Sequence, residues 1–575
     1  MTWIPLLFLL FLQPSFGEIL SSKKICGPYE LTEAQLPGGS LFSKNDLLLI
    51  CGDESAPGWS EIPRNQALYQ IQTVLKSQGY FQSKIEDQGE RVLVTPGPRS
   101  TVKKVEFKNA PPNFKDVIFR GYKGQAITPT TLSNTKDWTT SRLRSIGYPC
   151  PSVSVSANAK EESLTLNLKP GPKLRIIEVD RPKDSPYDDS AWQRYDAFKV
   201  HQYFNADLLT LTSRRLLEND MAQFAFFKDL CKLDGAHVFQ NVSLAPPRSL
   251  LFSFGASTEE APIAEVEWKH SRLDAAGSNV SANLYGSPRR QSLKMQSELY
   301  WFHFWKELYF FPGVEIRREN EPNYKTLSQH FQWGLGHRND DSRHRYSFRY
   351  TPMYTVEKTL EGAGPTNIQY FSFRTSLTLT SHYFEYFKTT PQQGYQLNVD
   401  WSAQREGIES PLSLDQFNFS GTWLSNYGKW DPPLAVLGVR FRHSVNVTSS
   451  ESEVPFTYRL YLGGKDDIRG FSRNSINNLD QGYRTVSYLG LESRFLEVLP
   501  YKIQPYLFYD FAKVGVQHWS WDQSLYASPG FGLRWQSPIG SFRGSLSRGM
   551  ISQKDEQVSQ PKEQWNFILT YGQEF

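Results

Sequence analysis

The sequence predicts a mainly β protein: a C-terminal 16-stranded antiparallel transmembrane β-barrel preceded by three small α+β domains. Three observations carry this. The second half of the chain breaks into alternating segments of about ten residues separated by turn formers. The first half contains a repeat roughly 70 residues long. The chain is also 14% aromatic with a mean hydropathy of −0.50, which disfavours helical membrane spans and fits sheet with many turns.

At 575 residues the chain is too long for one ordinary domain. A net charge of +4 is nearly balanced for this size and does not suggest nucleic acid as a partner. The one long apolar run, "WIPLLFLLFL", is too short to span a bilayer and precedes Ser15 and Gly17, small residues before a cleavage point, so residues 1–17 read as a secretory signal peptide. Its n-region has no Lys or Arg, and a buried N-terminal helix is the alternative. The cysteines are Cys26, Cys51, Cys150 and Cys231. In an exported chain they suggest two disulfides, with Cys26–Cys51 favoured by proximity, although four cysteines permit three connectivities.

The repeat pairs "GYFQSKIEDQGERVLVTPGPRSTVKKVEF" from Gly79 with "GYPCPSVSVSANAKEESLTLNLKPGPKLRIIEV" from Gly147. The Gly-Tyr pairs stand 68 positions apart and the Pro-Gly-Pro triplets 74. A helix precedes each. The first is opened by Pro63, with Leu68, Ile71 and Leu75 on one face and Gly79 as the stop; the second is "TTSRLRSIGY". A third unit follows in "NADLLTLTSRRLLENDMAQF", with Leu209, Leu216 and Leu217 aligned, although it lacks Gly-Tyr. Each unit reads as strand, helix pair and two strands, with units at 18–98, 99–171 and 172–247 and the barrel at 248–575. Short sheets of this kind leave an edge that can accept an extended peptide.

From Ser249 sixteen strand candidates follow, ending with "WNFILTYGQEF". Parity separates this from a soluble sandwich. Leu437, Val439 and Phe441 oppose Arg440 and Arg442; Leu507, Tyr509 and Phe511 oppose Asp510. Charge on one face and bulk on the other suit a wet lumen and a lipid exterior. The terminal strand puts Trp565, Phe567, Leu569, Tyr571 and the final Phe575 outward.

Between the eleventh and twelfth strands lies "FTYRLYLGGKDDIRGFSRNS". Arg469-Gly470-Phe471 puts a guanidinium beside a permissive backbone and an aromatic. The next two strands each carry a lumen-facing carboxylate, Glu492 and Asp510, so a loop folded into the lumen can set Arg469 between them.

Through "GGKDDIRGF", "YLGLESRF", "LFYDFAKV", "SPGFGLRWQSPIG" and the ending "YGQEF", the sequence resembles the outer-membrane assembly proteins with POTRA domains, of the BamA and TamA type. Three POTRA units resemble TamA, the translocation and assembly module subunit, more than BamA. The resemblance implies a bacterial outer-membrane location with the POTRA domains in the periplasm. It implies insertion of unfolded β-barrel or autotransporter clients at a seam between Ser249–Ala256 and Trp565–Phe575, where Leu250, Phe252, Gly572 and Phe575 would lie. Arg469, Gly470 and Phe471, with Glu492 and Asp510, would lock the lumenal loop. An inner-membrane-anchored partner of the TamB kind follows from the same resemblance.

Motifs of catalysis are missing: there is no GxSxG, HExxH or P-loop, so neither an enzyme nor a cofactor is expected. "HRNDDSRH", His337 to His344, reads as a solvated loop rather than a metal site, and "LYWFHFWKELYFF" as an interfacial girdle. Two other functions compete with assembly: polypeptide secretion of the two-partner type, and a passive porin or receptor.

Overall fold

A computed structural model describes residues 22–32, 41–53, 62–112, 114, 117–302, 304–407, 409–448, 454–478, 481–521, 523–538, 540–552 and 563–572. The expected signal peptide and Phe575 lie outside these residues. The chain divides into two compact units, the first comprising residues up to 112 with 119–140 and 152–169, the second 113–118, 141–151 and 170–575.

In the first unit, strands Tyr29–Thr32 and Val92–Thr95 run parallel at the centre of a four-stranded sheet. Helices Lys44–Cys51 and Arg64–Ser77 cover it, burying Ile50, Ala67, Ile71 and Leu75 completely against Val92 and Val94. Cys26 and Cys51 are joined. A second sheet pairs Lys104–Lys108 parallel with Ser163–Lys169, which is antiparallel to Ser152–Asn158. Leu164, Leu166 and Leu168 are fully buried, as their alternation requires. The helix expected over "TTSRLRSIGY" starts ten residues earlier and spans Pro129–Ser145. Its inner face escapes a hydrophobic count because Thr135 and Thr139 are fully buried, with the Thr139 hydroxyl donating to the Thr135 carbonyl.

The second unit contains the third α+β repeat and the barrel. Strand Ile176–Asp180 runs parallel to Ala236–Leu244, which pairs with the edge strand Ala222–Cys231. Helix Ala206–Glu218, capped by Asn205, buries Leu208, Leu209, Leu211 and Leu216, whereas Leu217 is 39% exposed and lies off the expected face. The missing Gly-Tyr has a local explanation. Gly79 and Gly147 follow their helices with φ of +97° and +112°, and Asp220 occupies the same left-handed region at +55° in the third copy. A second disulfide joins Cys150 to Cys231.

Burial lifts two acidic side chains of this repeat, Asp196 and Asp207, to a pKa of about 6 against the partial relief given by Arg181 and Arg142. A carboxyl raised above its unfolded value near 3.9 destabilises the native state fully above pH 6, and that cost fades as pH falls toward 3.9, at most roughly 2–3 kcal/mol each. Amide exchange in helix Ala206–Glu218, corrected for intrinsic rates, should therefore be slower at pH 5 than at pH 7. Faster exchange at pH 5 would contradict the assignment.

The barrel closes with sixteen strands, three of them interrupted. In chain order they are β1 Arg248–Ser257, β2 Ile263–His270, β3 Asn279–Gly286, β4 Arg290–Glu298, β5 Leu308–Phe310 with Gly313–Glu321, β6 Tyr324–Gln332 with Leu335–Asp340, β7 His344–Glu361, β8 Asn367–Ser381, β9 Gly394–Gln404, β10 Leu414–Tyr427, β11 Ala435–Thr448, β12 Thr485–Phe495, β13 Ile503–Gly515, β14 Leu525–Ser537, β15 Gly540–Arg548 with Met550–Ser552, and β16 Trp565–Tyr571. Leu437, Leu489, Leu507, Phe531, Phe567 and Leu569 are exposed on the outer surface, while Asp510, Ser528 and Ser547 are fully buried inside. The parity read from sequence is the parity of the wall.

"HRNDDSRH" departs from its expected loop character. His337 to Asp340 complete β6, His344 opens β7, and Asp340 is buried against Arg215, Arg345 and His382. Polar residues form strand here because their charges are paired at this rim, Asp340 by Arg215 of the third repeat with Arg345 and His382 of the barrel, and Arg338 by Glu298 of β4.

Candidate functional site: the lumenal loop and the barrel seam

Residues 454–478 fold inward from the end of β11, and Arg469 is 2% exposed within them. Its guanidinium grips Asp510 bidentately, Nε to Oδ2 at 2.8 Å and Nη2 to Oδ1 at 2.9 Å, while Nη1 reaches Glu492 Oε2 at 2.8 Å. The same plane lies 3.4 Å over the Phe508 ring. The Tyr488 hydroxyl donates to Asp510 at 3.2 Å, and Arg543 supports Glu492 at 2.7 Å. Five of the residues that form this cluster are charged or phenolic, yet every carboxylate has a cation, which is the condition under which a buried pair holds.

Phe471 is buried edge-on against Tyr526, with ring centroids 5.6 Å apart. Gly470 passes so close to the wall that a Cβ there would sit 2.5 Å from the Gly549 nitrogen and 2.6 Å from the Ser528 hydroxyl. Backbone cannot yield to that overlap. Gly470→Ala should therefore loosen the loop, by about 1–3 kcal/mol as for other overpacked sites, read as faster protease cleavage within 454–478. Cleavage unchanged from the parent would show that the wall gives way.

Sequence reasoning missed the other anchors. Glu357, 1% exposed on β7, accepts from the Phe456 amide at 2.9 Å and from the Thr457 hydroxyl. Glu321 on β5 holds Arg473 through two bonds of 2.8 and 2.7 Å, and Arg442 meets Asp467 at 3.2 Å. The first two couple the loop to strands 99 to 152 residues away and the third couples it to a lumenal arginine on β11, so no local spacing marks them.

The seam is short. Among the described residues β1 pairs with β16 only at Ala256–Tyr571 and Ser257–Thr570, supplemented by the Thr258 amide donating to the Leu569 carbonyl at 3.0 Å. By contrast β1 pairs with β2 continuously from Arg248–His270 to Gly255–Ile263, and β15 with β16 from Phe542–Tyr571 to Arg548–Trp565. Leu250 and Phe252, more than half exposed, lie on the stretch of β1 that has no partner on β16 among the described residues. Of the expected seam over Ser249–Ala256 and Trp565–Phe575, the pairs among the described residues lie at the end of β1, and residues 573–575 lie outside the described residues. Gly572 takes φ of +115°, donates its amide to Ser541 at 3.1 Å, and brings its Cα region against Gly255, so it turns the last strand toward β15.

A cavity of about 310 Å³ opens beside these pairs, bounded by Ser253, Gly255, Arg440, Arg469, Ile568 and Thr570. The lumenal loop braces both lips. Asn566 of β16 donates to the Arg469 carbonyl at 2.8 Å, and the Lys465 amide donates to Glu259, just beyond β1, at 3.1 Å. Lock and seam are therefore one hydrogen-bonded assembly.

Residues 275–575, just over half of the chain, match the Omp85 superfamily domain. Over 122 residues the chain is 29% identical to the outer membrane protein assembly factor BamA of Nitratidesulfovibrio vulgaris, an alignment covering 19% of this chain and 15% of that protein. Among solved structures, BamA from Haemophilus ducreyi lacking POTRA domains 1–3 aligns with a TM-score of 0.49 at 15% identity, over 82% of this chain and 99% of that one. CdiB from Escherichia coli aligns at 0.46 and 11%, over 88% and 95%. With the barrel, its lumenal loop and the repeated α+β units in place, the chain belongs to the Omp85 superfamily, as an outer-membrane β-barrel protein whose POTRA units stand in the periplasm.

Proposed function

We propose that this protein inserts client polypeptides into the outer membrane by offering the open edge of β1 as a template strand. The observation that carries the reading is the seam, where among the described residues two pairs join β1 to β16 and the stretch from Arg248 to Gly255 has no strand partner on its β16 side, beside a lumen-side cavity. Edge strands of this kind pair with any extended chain that reaches them. The clients are unfolded β-barrels or autotransporters, in the manner of TamA, and a TamB-like partner anchored in the inner membrane would deliver them. No catalytic centre or cofactor is needed, since strand exchange replaces one set of backbone bonds by another.

The POTRA edges would hold clients before insertion. Ala222–Cys231 is an edge strand with Phe224 and Phe226 exposed by 59% and 43%, their rings 5.4 Å apart. A passive pore has no use for such a surface, nor for a loop pinned across its lumen.

A single cysteine at Ser253, on the open edge, tests the template. Proteoliposomes carrying Ser253→Cys should capture a client bearing cysteines along its terminal strand, in one dominant register. Capture from a lumenal position such as Arg440→Cys, with none from Ser253→Cys, would instead favour secretion through the lumen by the two-partner route.

A further inference from the structure

We infer that the periplasmic rim of the barrel holds a binding site for the phosphate of an anionic phospholipid, formed by Arg194, Lys199 and Lys306 beneath the aromatic connection from β4 to β5. The site is independent of the insertion reading.

A cavity of about 390 Å³ lies between the third POTRA unit and the ends of β5 and β6. Its lining is cationic in excess. Arg181 is matched by Asp196 and Arg338 by Glu298, and Asp340 is taken by Arg215 and Arg345. That leaves Arg194, Lys199 and Lys306 facing Glu307 as the one remaining carboxylate of the lining. Arg194 is the telling member. It is 7% exposed, and among the described residues it has no carboxylate partner: its bonds go to the carbonyls of Lys306 and Ala276 at 3.1 and 2.9 Å, with the Tyr300 ring 3.4 Å below. A guanidinium buried that far with only neutral acceptors retains its full charge toward the cavity and favours an anion.

The connection above it supplies the second observation. Trp301, Phe304 and Trp305 are exposed by 57%, 85% and 48%. Trp301 stacks on Phe310 and Trp305 packs on His337. Phe310 and His337 lie across the β5–β6 pairs from Leu335 and Leu308, and Leu335 is 41% exposed on the lipid-facing side. The aromatic cluster therefore belongs to the outer face of the barrel, at the headgroup level where Trp is favoured, with Lys306 directly following it in sequence. Apolar rings in the acyl boundary and cations just beneath them match a phospholipid with its phosphate in the cavity, better than they match a free anion.

The test uses the full chain, released from detergent micelles into native mass spectrometry with phosphatidylglycerol and phosphatidylcholine supplied together. The parent should retain phosphatidylglycerol preferentially. Each lysine near a headgroup is worth roughly fivefold, so Lys199→Gln with Lys306→Gln should weaken phosphatidylglycerol binding about 30-fold and leave phosphatidylcholine unchanged. Gel mobility of the unheated barrel verifies folding, and Lys306→Gln alone serves if the pair does not fold. Equal retention in parent and variant would overturn the proposal. So would displacement of the lipid by millimolar inorganic phosphate, which would assign the cavity to a soluble anion.

Discussion

Arg469→Ala should release the lumenal loop and open the barrel to ions. Asp510 is fully buried and receives two guanidinium bonds and the Arg469 amide; without the side chain it keeps only the amide and the Tyr488 hydroxyl. Leaving one charge of a buried pair uncompensated costs about 3–5 kcal/mol. Glu492 is less affected, because Arg543 and Arg494 remain beside it. Bilayer conductance should rise, and residues 454–478 should become cleavable by added protease. Arg469→Lys should recover part of the loss, since it restores charge but not the two-pronged fork. Arg469→Ala combined with Asp510→Ala should be milder than Arg469→Ala alone, because no orphan charge remains. A single variant that conducts and resists protease like the parent would remove the lock from the account.

The second large effect is expected at Arg215, on the other side of the barrel rim. This side chain is 1% exposed and holds Glu385 through bonds of 2.8 and 2.5 Å and Asp340 at 2.9 Å. Arg345 and His382 complete the cluster. Arg215→Met keeps the packing volume and removes the charge, so two buried carboxylates would share Arg345, again a loss of about 3–5 kcal/mol. The expected readout is accelerated amide exchange in helix Ala206–Glu218 and in the short helix His382–Tyr386, with the barrel strands unchanged. Exchange restricted to the first helix would mean that Arg215 stabilises only its own repeat.

The lock was legible in the sequence because its chemistry is concentrated: one Arg-Gly-Phe in a long loop, and one carboxylate on each of the next two wet strand faces. The sixteen strands were legible because lipid and lumen impose opposite demands on alternate residues, as Leu437 and Arg440 or Leu507 and Asp510 illustrate. The Arg215 network was not, since its members come from two helices and two strands spread from 215 to 385, and "HRNDDSRH" looks solvated until its partners are in place. Nor could the length of the seam be read. Alternation assigns faces to β1 and β16 but leaves their relative register to the shear of the closed barrel. Helix Pro129–Ser145 was under-read for a simpler reason: its buried face is partly threonine.

The measurement that bears most directly on the central claim is a reversible lock across the seam. Ala256→Cys with Tyr571→Cys replaces one of the two residue pairs that close it among the described residues, and the native cysteines are already paired as Cys26–Cys51 and Cys150–Cys231. Client insertion is followed in proteoliposomes before oxidation, after oxidation and after reduction, with the parent chain treated in parallel. The account predicts that insertion stops when the seam is bonded and returns when it is reduced, while the parent is indifferent to oxidation. Insertion that proceeds at the same rate through a fully bonded seam would contradict it.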